Sequence, residues 1–345
     1  MSIHSVSEGS IPPSVLDSHP HNLSDNYGRR INYLRLAITD RCNLRCRYCR
    51  PESGVPFIPH NEILRFEELE RFVRILTSLG VNKVRVTGGE PFSRRGCLDF
   101  LARLKSIPGV EFLHVTTNGV KTARFLDELV EIGISGINLS LDTINPKRFW
   151  QITRRDYLEA VLATLYGALQ RNLPLKVNSV VLPDTTDEEI RELSVIAKDH
   201  PVTLRFIEIM PFSGVSRPNK LVNGNLLKRL RGIFPDLHEE PAALPTTATV
   251  FAHPGFKGKI GTINGHSRLF CATCNKVRIT PEGMLKTCLY DDGALDLKGL
   301  VRTDALDHEI RAAIRAAVDN RFANGREAEQ SCRREKETSM SMIGG

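Results

Sequence analysis

Between Leu34 and Met210 the chain repeats one unit: a short apolar or alternating run, a turn, then a longer run with apolar residues at helical spacing. Leu34–Thr39, Lys83–Thr87, Phe112–Thr116, Gly136–Leu141, Leu175–Val181 and Thr203–Met210 read as strands. Leu64–Leu79, Leu98–Ser106, Thr122–Ile132, Tyr157–Arg171 and Asp187–Lys198 read as the helices between them. Strands at this spacing pair in parallel through right-handed crossovers, which curl the sheet, but six units fall short of the eight that close a barrel. The predicted class is α/β: a partial (β/α)6 TIM-type barrel with an open side. Beyond Met210 the unit stops. A helix over Leu221–Phe234, a proline-containing connection over Glu239–Thr249, short strands from Val250 and a helix near Asp307–Arg321 predict a smaller α+β extension. The expected division is a flexible leader over 1–30, the barrel over 31–245 and the extension over 246–345.

The first strand runs into Thr39-Asp-Arg-Cys-Asn-Leu-Arg-Cys-Arg-Tyr-Cys49, which places Cys42, Cys46 and Cys49 on a loop at a strand's C-terminal end, where barrels carry their chemistry. Three thiolates hold three irons of a cubane cluster and leave the fourth iron for a ligand that is also a reactant. Zinc is the competing reading, although a structural zinc site closes with four ligands. A second group, Cys271, Cys274 and Cys288, again offers three thiols; a zinc ribbon short of one ligand is its alternative, with His266 as a candidate fourth donor. Cys97 and Cys332 belong to neither group. The second strand ends in Thr87-Gly-Gly-Glu-Pro91, the third in Thr116-Thr-Asn-Gly119 and the fourth in Ser140-Leu-Asp142, polar turns at the end expected of a barrel active site.

Composition narrows the class. Hydrophobic content of 41% and charged content of 25% are those of an ordinary soluble chain. No apolar run is long enough to span a membrane, and the N-terminus shows neither a secretory signal nor an arginine-rich transit peptide. Eight cysteines, six of them in two close groups, argue for metal ligation in a reducing, low-oxygen cytoplasm rather than for disulfides. A formal charge of +7 asks for an anionic partner, a nucleic acid or a polyphosphate. Aromatic content of 6% offers little for base stacking.

Cys-x3-Cys-x2-Cys with Tyr48 before the last cysteine resembles the radical S-adenosylmethionine (SAM) family. That resemblance implies that the open iron is chelated by the amino and carboxylate groups of SAM, whose reductive cleavage yields a 5′-deoxyadenosyl radical. The two cysteine groups, Leu34-Arg-Leu, Thr87-Gly-Gly-Glu-Pro91, Leu204-Arg-Phe-Ile-Glu-Ile-Met210 and the terminal Met342-Ile-Gly-Gly345 together resemble the GTP 3′,8-cyclase branch (molybdenum cofactor biosynthesis protein A) from about Tyr33 to Gly345.

The branch implies two 4Fe-4S clusters, one on Cys42, Cys46 and Cys49 for SAM, the other on Cys271, Cys274 and Cys288 for the guanine base of GTP. It implies conversion of GTP to (8S)-3′,8-cyclo-7,8-dihydroguanosine 5′-triphosphate, the first step of molybdenum cofactor biosynthesis. Tyr48, Gly89, Glu90, Ser140 and Met210 match positions around SAM. Arg35, Lys83, Lys176, Lys276 and Arg278 match substrate contacts; Thr116 matches a position beside both ligands. Gly344 and Gly345 match a tail that reaches the active site and is required for activity. Implied partners are an electron donor of the reduced flavodoxin or ferredoxin type and a downstream cyclic pyranopterin monophosphate synthase, with no membrane and no nucleic acid; a homodimer is compatible. Lys276 stands where the branch often has arginine, Arg50 where it commonly has methionine, and Arg94-Arg-Gly-Cys97 interrupts a stretch usually continued by an acid. The alternatives are a radical SAM peptide-modifying enzyme with an auxiliary cluster and a zinc-stapled nucleic-acid-binding protein.

Overall fold

A computed structural model of the protein describes residues 22–50, 54, 56–210, 226–241, 247–265, 271–332 and 343. Six strands form its centre: β1 (Tyr33–Ala37), β2 (Lys83–Thr87), β3 (Phe112–Thr117), β4 (Gly136–Ser140), β5 (Leu175–Val181) and β6 (Thr203–Glu208). Each pairs in parallel with the next, as right-handed βα units require. The helices between them are α1 (Phe66–Ser78), α2 (Cys97–Lys105), α3 (Leu126–Ile132), α4 (Pro146–Thr153), α5 (Leu158–Gln170) and α6 (Asp187–Asp199). Two helices, not one, therefore join β4 to β5. The signal for α4 was Asn145-Pro146: the Asn145 side chain accepts from Arg148 N and Pro146 opens the helix, where its missing N–H costs nothing. Thr122–Phe125 forms a 3-10 turn ahead of α3 rather than its first turn.

The remaining elements are α7 (Leu226–Ile233), β7 (His238–Glu240), β8 (Thr249–Ala252), β9 (Lys259–Ile263), β10 (Lys276–Ile279), β11 (Met284–Lys286), β12 (Leu295–Asp296), α8 (Leu297–Arg302), α9 (Asp307–Asp319) and α10 (Gly325–Ser331). They continue the barrel's own sheet. The order is β12-β11-β10-β1-β2-β3-β4-β5-β6-β9-β8-β7, with β10 parallel to β1 and β9 parallel to β6. The partial barrel is thus prolonged at both edges by strands from the C-terminal third.

Strand alternation sorts the two faces. Leu34, Leu36, Val84, Val86, Leu113, Val115, Ile137, Leu139, Val177, Leu204 and Phe206 are buried against the helices and form the main core. The intervening Tyr33, Arg35, Lys83, Arg85, Asn138, Lys176, Asn178 and Arg205 point into the concave side.

Residues 22–30, expected in a flexible leader, are instead built into the protein. Leu23 N donates to Leu79 O at 2.9 Å, Ser24 bridges to Arg30, and Asp25 and Arg29 are buried. The i,i+4 spacing of Asp25 and Arg29 closes this turn as an ion pair of 2.6 Å. Residues 1–21 lie outside the described residues.

Candidate active site

One cavity of about 530 Å³ occupies the concave side of the sheet and is lined by all six grouped cysteines. Cys42, Cys46 and Cys49 follow β1, whereas Cys271 and Cys274 precede β10, which runs parallel to β1 with Tyr33 opposite Lys276. The two groups therefore sit at opposite ends of the same strands. Along a strand of five residues that separation is about 16 Å.

The first loop is held by its backbone. Arg45 N donates to Thr153 O at 3.0 Å, Arg47 N to Ile152 O at 2.9 Å, and Cys49 N and Arg50 N both to Cys46 O at 2.9 Å. The Gly88-Gly89 turn after β2 docks against it: a Cβ on Gly89 would lie 2.4 Å from Arg41 O, and Gly88 has φ +148° with a Cβ position 2.4 Å from Thr39 O. Only glycine permits that approach, and it is to the loop's own backbone as well as to the cavity, which both glycines line. Leu44 N and Asn118 Nδ2 each donate to Cys42 Sγ at 3.4 Å.

Glu90 lies one layer behind the wall. It is fully buried, and its carboxylate accepts from Asn118 N at 2.7 Å, Thr117 Oγ1 at 2.9 Å and Phe92 N at 3.1 Å. Burial pushes it up to about 7 against those three donors. Tyr48 donates to Asp142 Oδ2 at 3.0 Å, and burial likewise brings Asp142 up to about 6. Ser140, Met210 and Thr116 line the cavity with Tyr48 and Gly89; Thr116 Oγ1 and Asn178 Oδ1 are buried there with no hydrogen-bond partner. Orphaned polar atoms on a cavity wall are what a polar ligand satisfies.

Between the cysteine groups stands a field of cations. Arg278, Arg35 and Arg85 face one another in register across β10, β1 and β2, and Lys276, Tyr33 and Lys83 do the same two residues earlier. The Tyr33 ring lies 5.0 Å from Lys83 Nζ and 5.4 Å from both Lys276 Nζ and the Arg85 guanidinium. Burial would raise the Tyr33 phenol, but Arg85, Arg35, Lys83 and Lys276 outweigh it and lower it. Arg205 and Lys176 complete the field from β6 and β5. Burial, then Arg278, push Arg35 well below the usual guanidinium range; burial and Arg85 bring Arg205 down to about 9. Partial burial of its ammonium, then Arg205, Arg85 and Lys83, bring Lys176 down to about 8. In its hydrogen-bonding orientation Asn138 Oδ1 accepts from both Arg85 and Arg205 and holds them side by side. Such crowding of desolvated cations is relieved by a polyanion.

The second group is braced from below. Arg321 Nη2 donates to Cys274 Sγ at 3.0 Å and Nη1 to Cys274 O at 2.9 Å, while Arg29 Nη1 donates to Cys271 O at 3.0 Å. Asp25 pairs with Arg29 and, at 3.6 Å, with Arg321. Burial works to raise Cys274, but Arg321 and Lys276 prevail and lower it. Burial, then Glu90, push Cys42 up to about 12, and burial pushes Cys288 up to about 11, so as thiolates these sulfurs need metal cations beside them. Among the described residues no three His, Cys, Asp or Glu side chains converge on one point as a single ion requires. Thiolates spread over one loop and fed by N–H donors suit the corners of an iron–sulfur cluster better than one zinc.

All the grouped cysteines and expected cation contacts thus meet on one cavity. Arg29, Tyr33, Arg85, Asn138, Arg205 and Arg321 also line it and were not anticipated. Arg85 and Arg205 carried a visible signal, since each alternates with core residues as Arg35 does. Cys97 is buried at the start of α2 and Cys332 donates to Asp292; neither lines the cavity. Arg94 is a packing clamp, with Nη2 donating to Leu64 O at 2.7 Å and its guanidinium 4.0 Å from the Phe66 ring. His266, Gly344 and Gly345 lie outside the described residues. Ile343, just before the two glycines, is buried, and its carbonyl accepts from Arg278 Nη1 at 3.4 Å.

A family model described as the radical SAM superfamily matches residues 36–194, and one described as Molybdenum Cofactor Synthesis C matches 202–326. The chain is 37% identical to a GTP 3′,8-cyclase of Clostridium perfringens over 86% of its own length and 92% of that protein's. It is 36% identical to one of Alkaliphilus metalliredigens over 94% of its own length and all of the relative's. Molybdenum cofactor biosynthesis protein 1 of Homo sapiens is 39% identical over 86% of the chain, which spans about half (47%) of that longer protein. Among solved structures, Streptococcus suis SuiB bound to S-adenosylmethionine superposes with a TM-score of 0.57 at 18% identity, over 82% of this chain and 68% of that one, a likeness of fold. By identity, coverage and both family models, the chain belongs to the radical SAM superfamily and, within it, to the GTP 3′,8-cyclase family.

Proposed function

We propose that the protein is a GTP 3′,8-cyclase: it converts GTP to (8S)-3′,8-cyclo-7,8-dihydroguanosine 5′-triphosphate with SAM and two 4Fe-4S clusters, the opening step of molybdenum cofactor biosynthesis. The observation that carries this reading is the single cavity with a cysteine group at each end and a cation field between them. Cys42, Cys46 and Cys49 would hold one cluster and Cys271, Cys274 and Cys288 the other. Once bound, the clusters and SAM supply one-electron chemistry that removes the ribose 3′ hydrogen and joins C3′ to C8 of the purine.

The chain's own residues do the rest. Tyr48, Gly89, Ser140, Met210 and Thr116 surround SAM, and Glu90, from behind the wall, fixes Thr117 and Asn118 beside it. Arg35, Lys83, Lys176, Lys276 and Arg278, with Arg85 and Arg205, take the triphosphate, which carries about four negative charges, and so set where the ribose stops. Asn138 holds two of these guanidiniums side by side, and each can meet phosphate oxygens bidentately. The anchoring of Ile343 at Arg278 supports Gly344 and Gly345 as residues that reach the nucleotide. Barrel walls exclude water from the reacting carbon. A reduced flavodoxin or ferredoxin supplies electrons, a cyclic pyranopterin monophosphate synthase takes the product, and the reducing cytoplasm is the compartment such thiolates require.

Anaerobic incubation with GTP, SAM and dithionite, followed by mass analysis, is expected to yield methionine, 5′-deoxyadenosine and a cyclised nucleotide of unchanged triphosphate content. Cys271→Ala is expected to keep SAM cleavage and lose cyclisation. Full cyclisation by that variant, or none by the wild type, would refute the reading.

A further inference from the structure

The outer face of the first cysteine loop carries a feature the cavity does not use. Phe57 is 40% exposed, and three guanidiniums crowd its ring: Arg50 at 4.5 Å, Arg41 at 5.3 Å and Arg45 at 5.6 Å. Arg154 joins them, its Nη1 donating to Arg45 O at 3.0 Å and to Arg50 O at 3.4 Å; it caps α4 in the left-handed region at φ 54°. The exposed Arg155 follows, with Nη1 on Arg154 O at 2.7 Å. None of these residues lines the cavity. Nearby Arg47 pairs with Asp184, and Arg148 with Asp184 and Glu189, whereas Arg41, Arg45, Arg154 and Arg155 have no carboxylate partner among the described residues. Three guanidiniums thus surround one exposed aromatic ring on the back of the loop that bears Cys42, Cys46 and Cys49, and Arg154 and Arg155 lie beside them; of these five, the four besides the buried Arg50 have no carboxylate partner among the described residues.

We propose that this patch docks an acidic protein that carries single electrons and reduces the metal group held by that loop. The proposal rests on the cluster reading of Cys42, Cys46 and Cys49. The cavity side of the loop is the substrate's, so an electron that arrives while the cavity is filled must cross the outer face. One electron leaves the carrier, which is oxidised by one equivalent, and the cluster takes it up; no bond forms or breaks and no proton moves. An unpaired basic patch steers a negatively charged partner, and an aromatic centre with an arginine rim has the composition of a binding hot spot. Nucleic acid fits less well, because the Phe57 ring that would stack a base is already crowded by guanidiniums.

The test compares two reductants on the cluster-loaded chain with SAM and no GTP. For Arg41→Glu/Arg155→Glu, the rate of cluster bleaching by an enzymatically reduced flavodoxin is expected to fall about ten-fold or more and to lose its dependence on salt. Bleaching by dithionite is expected to stay unchanged. Flavodoxin binding, measured by titration calorimetry at two ionic strengths, is expected to weaken in parallel. Phe57→Ser checks the aromatic centre and is expected to weaken binding without changing its salt dependence. Equal flavodoxin rates in wild type and variant overturn the proposal, as does a wild-type chain reduced by neither flavodoxin nor ferredoxin, or a patch whose reversal abolishes RNA binding while donor rates hold. Failure here leaves dithionite-driven cyclisation intact, whereas failure of the cyclase reading removes cyclisation with any reductant.

Discussion

Lys176 shows how the barrel tunes a single side chain. On β5 it alternates with Leu175 and Val177, which face the core, so its ammonium joins Arg205, Arg85 and Lys83 inside the cavity. Its folded value of about 8 lies below the ordinary 10.5. It is therefore mostly charged at pH 7 and mostly neutral at pH 9, and a bound triphosphate favours the charged form. GTP affinity is expected to drop about ten-fold between pH 7 and 9, the loss of one charge-assisted contact. Calorimetry in buffers of different ionisation enthalpy should register proton uptake near pH 8. Lys176→Arg, which stays charged, is expected to flatten the profile, and an equally steep profile in that variant would show that another group titrates. Arg35, Lys83 and Lys176 were legible through the resemblance to the cyclase branch, and all three follow the same alternation. Arg85 and Arg205 obeyed it too and were missed, because the motif match that selected the others was narrower than the physical rule. Glu90 lay at the limit of legibility: the sequence places it beside the ligands, but only the three donors around its carboxylate put it behind the wall.

Elements were readable where local chemistry decides them. The six barrel strands and the capped α6, with Thr186 and Glu189 satisfying each other's N–H groups, stand where their patterns put them. The pairing of β10 with β1 joins residues more than two hundred positions apart, and no local pattern announces it. The turn after β2 was legible as paired glycines, yet the reason for them was not: it is the carbonyls of Thr39 and Arg41, against which a Cβ cannot fit. Gly89→Ala must push the first cysteine loop outward. The expected result is a folded protein with about four irons instead of about eight, SAM cleavage lost and the second group still loaded. Iron and sulfide analysis of anaerobic material checks this, and a full complement of iron would show that the loop yields without cost.

At the scale of the whole molecule, the second cysteine group is held by segments from opposite ends of the chain. Asp25, near the N-terminal end of the described residues, accepts from Arg29 Nε at 2.6 Å and lies 3.6 Å from Arg321, just past the C-cap of α9. Those two guanidiniums donate in turn to the carbonyls of Cys271, Cys274, Phe322 and Ala323 and to Cys274 Sγ. One carboxylate thus balances two buried cations on which the cluster loop rests. Asp25→Ala leaves both cations uncompensated, and breaking a buried pair in this way costs about 3–5 kcal/mol. The expected outcome is a lowered Tm together with loss of about half of the iron, confined to the second group, so that SAM is still cleaved and GTP is not cyclised. Asp25→Asn, which keeps an acceptor in place, is expected to lose less. If Asp25→Ala retained its iron and its Tm, the two arginines would be supported by their carbonyl contacts alone, and the segment before β1 would be packing rather than a brace for the site.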